Sequence, residues 1–218
     1  MPGDRTGGPP PGKIPGMDFA ASVAGLTFAG RVLRHGPRPP YDEPMSSPRL
    51  DVLRWQFDLT WSLFELHLGQ LQPGDFLWEP APLCWSVRRG DDGEWVSDFD
   101  ESEPDPAPVP TIGWLTWHLG WWWSVTIDHA RGRTPRERTE IRWPGDGASA
   151  IAWLRGLRDE WTALLDTLGD ADLDAPAPFP WPDDPDKTVA HMIAWVDAEL
   201  MKNVAEIGQL RLLRAAVS

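Results

Sequence analysis

An all-α fold, a four-helix bundle, is what this sequence predicts, and three observations carry the prediction. Four stretches of about 20 to 30 residues, the length bundle helices need, repeat apolar residues at intervals of three and four. Residues that cap helices or stop them bound these stretches. No segment sustains the strict alternation of a half-buried strand.

The first 44 residues stand apart. Residues 1–16 are rich in Pro and Gly and cannot bury a core, residues 18–33 are weakly apolar, and residues 35–44 are Pro-rich again. A disordered or weakly structured tail is expected over 1–44, with one folded domain over 45–218. Met17 and Met45 are both candidate starts.

Helix one begins at Ser47, an N-cap, with Pro48 in the first position, where a missing N–H costs nothing. Leu53, Phe57, Thr60, Phe64, His67 and Leu71 form its seam, and Gln72-Pro73-Gly74 ends it. Residues 73–110 make a long connection. Within it, the stretches 84–89 and 95–96 flank Gly90-Asp-Asp-Gly93 and predict a short hairpin. Trp78, Trp85 and Trp95 are expected to pack over one end of the bundle, with a lid as one role open to them. The acidic residues 98–105 read as a solvated loop.

Helix two starts after Pro110, with Thr111 as cap, and runs to about Arg131, where Gly132 stops it. Ile112, Leu115, Leu119 and Trp122 mark its inner face, and His118 lies within that apolar stripe. An imidazole there needs a hydrogen-bond partner or a metal. Helix three starts near Ala148, with Ile151, Leu154, Leu157, Trp161, Leu164, Leu165 and Leu168 facing inward, and Gly169 ends it. Helix four, after the Pro-rich 174–185, runs from about Thr188 to Ala216. Its core face reads Val189, Met192 or Ile193, Val196, Leu200, Asn203, Ile207 and Leu210.

Composition narrows the function classes. The net charge is −13, which argues against nucleic acid and anionic membranes as partners. A single cysteine, Cys84, excludes an internal disulfide and suits a reducing cytoplasm. No apolar run approaches the ~20 residues of a membrane span. Fifteen tryptophans against one tyrosine point to half-buried sites and pocket walls, where a large ring and one N–H both find a place.

Polar residues at seam positions are the candidate site. His67 lies near the end of helix one, His118 near the start of helix two and Asn203 late in helix four, with Glu199 and Glu206 one turn to either side of Asn203. If helices one and two are antiparallel and helix four runs with helix one, all five fall toward one end of the bundle. A divalent ion needs such N and O donors converging from several helices. Other roles stand beside that one. Asn203 could be a register-fixing hydrogen bond. Lys202 and Glu206 could be an ordinary surface pair. His129 reads as structural, His191 as helix-start surface. Trp117 and Trp121 could line a cavity beside His118.

The stretch Thr111-Ile-Gly-Trp-Leu-Thr-Trp-His-Leu resembles the second-helix motif of the DinB-like superfamily, and residues 196–214 resemble its last helix. The resemblance covers about 49–214. It implies an up-down-down-up bundle and a divalent metal, such as zinc or nickel, on three residues: the helix-two histidine, matched by His118, and two positions four apart on the last helix. Glu199 matches the first of these; Asn203 stands where a histidine belongs, leaving His67 or Glu206 as substitutes. Relatives include transferases and isomerases that activate a low-molecular-weight thiol on the metal. Two readings follow. One is a metal-dependent enzyme, thiol-transferase-like or hydrolase-like, acting on a small molecule. The other is a non-catalytic bundle with a degenerate metal site, serving small-molecule binding, stress response or homodimerisation.

Overall fold

The computed structural model describes residues 47–102 and 104–217; the tail expected over 1–44 lies outside them. Four helices dominate: α1 (Pro48–Leu68), α2 (Ile112–Ala130), α3 (Gly147–Leu165) and α4 (Val189–Ala216). The caps act as their residue types require. Ser47 Oγ accepts from the Leu50 amide at 3.2 Å, Thr111 Oγ1 from the Trp114 amide at 3.2 Å, and Asp146 Oδ1 from the Ser149 amide at 2.9 Å. No helix among the described residues is long and apolar enough to cross a membrane.

Two helices stop earlier than the periodicity suggests. Helix α1 ends at Leu68, ahead of Leu71, with Gly69 at its C-cap. Helix α3 ends at Leu165 with Asp166 at its C-cap. The Asp166 carboxylate pairs with Arg54 on α1 at 3.0 Å, and the Arg54 guanidinium also donates to the Leu165 carbonyl at 2.5 Å. The chain then turns through Asp170–Asp174, where Arg49 and Ser47 hold the two aspartates.

Cross-helix contacts fix the directions. His67 packs on Gly208 and Arg211 donates to Gln70 at 2.8 Å, so α1 and α4 run parallel in constant register. Arg155 meets Glu65 while Arg54 meets Asp166, so α3 opposes α1. Trp153 lies on Gly120 and Glu160 meets Arg131, so α2 and α3 are parallel. This is the up-down-down-up bundle.

The connection from α1 to α2 is built, not loose. The expected hairpin forms between β2 (Val87–Arg89) and β3 (Trp95–Ser97), antiparallel. A second ladder was not anticipated: β1 (Cys84–Trp85) runs parallel to β4 (Val109–Pro110). It delivers the chain to the start of α2, where the Thr111 amide donates to the Trp85 carbonyl at 2.8 Å. Trp85 stacks on Trp114 with centroids 5.2 Å apart, and Trp95 meets Trp143 edge-on at 5.1 Å. Trp78 lies under the Arg214 guanidinium of α4.

Among the described residues, the core contains one carboxyl group that its packing does not satisfy. Asp197, on α4, is 0% exposed, and neither carboxylate oxygen has a partner. Burial, with Asp58 of α1 adding repulsion, pushes its pKa up to about 7. A buried carboxyl group without a counter-charge keeps its proton to a higher pH than an exposed one. Thr60 Oγ1 and Trp123 Nε1, on the two helices that flank α4, are also buried without partners.

Two predictions test this packing. Between about pH 4 and about pH 7 the folded chain holds a proton on Asp197 that the unfolded chain has released. Raising the pH through that window therefore favours unfolding. Wild-type stability relative to Asp197→Asn should fall on the order of 1 kcal/mol per pH unit across it, read from urea midpoints; a pH-independent difference would show that the carboxyl group is solvated. A methyl group on Gly120 would collide with the Trp153 indole. Gly120→Ala should then cost about 1–3 kcal/mol in the same assay.

Candidate functional site

Helices α2 and α4 meet antiparallel across a line of large side chains. Trp122 packs edge-on against Trp195 with centroids 5.5 Å apart, and its Nε1 donates to Asn203 Oδ1 at 3.3 Å. Beside this contact opens a cavity of about 370 Å³, lined by His118, Trp121, Trp122, Val125, Phe179, Trp195, Glu199 and Lys202. Its size is at the lower end of small-ligand sites. Phe179 comes from the Pro-rich connector before α4. It stacks on His129 at 5.0 Å and meets Trp195 edge-on at 5.6 Å. A larger hollow, of about 550 Å³, lies over Asp128, Arg133, Arg136 and Glu160. Those charges already pair with one another, and they tie the end of α2 to α3.

His118 is wedged between aromatic rings. It stacks on Trp114 with centroids 4.9 Å apart and planes 9° apart, and meets Trp121 edge-on at 5.8 Å. Its Nδ1 is buried with no partner, which leaves Nε2 as the nitrogen open to a ligand. Burial pulls the pKa down to about 4; the Lys202 ammonium adds to the fall and the Glu199 carboxylate opposes it. The ring is uncharged at neutral pH.

Of the five predicted residues, His118 and Glu199 reach the same cavity. Asn203 does not line it. It is 1% exposed and lies behind Trp122, and its Nδ2 donates to Glu206 at 2.9 Å. Glu206 thus belongs to the Asn203 side chain. The surface pair suggested for Lys202 and Glu206 forms elsewhere, between Lys202 and Glu199 at 2.8 Å. His67 faces α4 from α1: a methyl group on Gly208 would come within 2.6 Å of its Nε2. Burial, then the Arg211 charge, lowers the His67 pKa.

This donor set, as arranged, does not fit a zinc or nickel ion. Of the predicted donors only His118 and Glu199 line the cavity, and the Asn203 oxygen is held by an indole N–H. A metal-bound imidazole donates its other N–H to an acceptor, and Nδ1 of His118 has none. Among the described residues no three His, Cys, Asp or Glu side chains converge. The arrangement instead offers flat apolar walls, one neutral imidazole, and one charge of each sign at the rim.

The sequence did not point to Lys202, Trp195 or Phe179. Lys202 lies within reach of both Glu199 and Glu206 on one helix face, three and four residues away, so spacing alone could not choose between them.

In a comparison with known families, the DinB superfamily matches over residues 56–207, most of the chain. No curated protein and no solved structure matches.

The electrostatics of His118 are directly measurable. Its ring should stay uncharged on acidification to about pH 4, and Lys202→Met should move the titration upward by removing a depressing charge. Imidazole NMR shifts followed against pH check both. A midpoint near the ordinary histidine value would mean that the ring is solvated.

Proposed function

The chain belongs to the DinB superfamily, and we propose that within it this protein binds a small organic molecule in the cavity between α2 and α4 without a zinc or nickel ion. The observation that carries the reading is the Glu199–Lys202 ion pair, 2.8 Å long, at an aromatic cavity that also holds His118. Where the superfamily resemblance implies a dication, this chain has a lysine ammonium. Trp121, Trp122, Trp195 and Phe179 provide the apolar area that holds a ligand, and the polar groups beside them orient it. Nothing in this proposal requires bond-making chemistry. With a pKa near 4, His118 is a weak base at neutral pH.

The competing reading is metal-dependent transfer involving a low-molecular-weight thiol. It is favoured by the open Nε2 and neutral ring of His118, which with Glu199 would make two donors if Lys202 swung away. In that case the metal would supply activation of the thiol, and His118 and Glu199 would hold it.

Elemental analysis of protein purified without chelator separates the two. Zinc and nickel should be far below one per chain and unchanged in His118→Ala. Stoichiometric metal that His118→Ala loses would overturn the proposal in favour of the metal enzyme.

A further inference from the structure

We propose that the cavity between α2 and α4 receives a small aromatic zwitterion, a molecule with the chemistry of an aromatic amino acid, its carboxylate on Lys202 and its ammonium on Glu199. The proposal rests on the reading of this cavity as a ligand site and adds the class of ligand.

The walls favour a flat ring. Trp195 stands edge-on to both Trp122 and Phe179, at 67° and 75°. Trp121, which also lines the cavity, is backed by Trp117 in a stacked pair 5.6 Å apart. Edge and face contacts of this kind are what aromatic rings prefer, and about 370 Å³ accommodates one ring system with a short side arm.

The rim favours two charges. The Glu199 and Lys202 side chains are 26% and 51% exposed, so both can be reached from solvent. An ion pair exposed to this degree stabilises the fold little, and a ligand can share or open it cheaply. Each partner also has capacity to spare. The ammonium has three N–H donors, and a carboxylate accepts at about four lone-pair positions. A purely cationic ligand would face Lys202. A purely anionic one would face Glu199 and the field of a chain with net charge −13. A neutral ring would leave both charges unused. Only a ligand with one charge of each sign meets a complementary partner at both positions.

Four probes of one shape test this by isothermal titration on the full chain: phenylalanine, phenethylamine, 3-phenylpropanoate and 2-phenylethanol. Phenylalanine should bind about tenfold tighter than either singly charged probe, as charge-assisted hydrogen bonds allow. Lys202→Met should erase its advantage over phenethylamine, and Glu199→Gln its advantage over 3-phenylpropanoate. Both side chains are at the rim, so these variants keep the core intact. Equal affinity for all four probes, abolished by filling the cavity with Val125→Trp, would overturn the zwitterion and leave the cavity reading standing. Binding of none of the four, or binding that Val125→Trp leaves unchanged, would overturn both.

Discussion

A helix buried on nearly every side has no solvent to satisfy its polar groups, and α2 is such a helix: fifteen of its residues are buried. Its tryptophans bring indole N–H groups into that interior, where an unmade hydrogen bond costs free energy. Three of them find acceptors in three different parts of the chain. Trp114 donates to the Asp98 carbonyl at 2.7 Å, Trp117 to the Ile141 carbonyl at 2.9 Å, and Trp122 to Asn203. In return, Trp143 donates to Thr116 Oγ1 of α2 at 3.0 Å. The α1–α2 connection, the segment before α3, and α4 are thereby fixed to one helix.

The same constraint explains the departure at Asn203. The amide receives the Trp122 indole and passes its own N–H to Glu206. A histidine there could accept the indole only by giving up a ring nitrogen. The side chain that the family resemblance assigns to a metal is here part of the bracing of α2. The charge that remains at the site, Lys202, lies one residue earlier on the helix and reaches Glu199 instead.

Most of the fold was legible because helices announce themselves locally. Ser47 and Thr111 are caps whose side-chain type is the signal, and the seam of α4 repeats without a break. The β1–β4 ladder was not legible: two-residue strands joined across 25 positions carry no period. In the site, His118 and Glu199 could be named because a polar residue on a helix seam is conspicuous. Phe179 could not, since a Pro-rich connector has no periodicity that says which side chain turns inward. Asp197 was also missed. It stands next to Val196 on the seam, and hydrophobic periodicity does not single out a buried carboxylate.

The parallel register of α1 and α4 has a consequence for how the chain acquires its structure. Gln70 and Arg211 meet across 141 positions of sequence. The closing of so long a loop is entropically costly, and contacts of this separation slow folding. Helices α2 and α3 can associate while the chain is still being synthesised, but their apolar faces stay uncovered until the C-terminal segment arrives. The segment that completes the core also carries Glu199, Lys202 and Trp195. The cavity between α2 and α4 therefore takes shape only once α4 has docked.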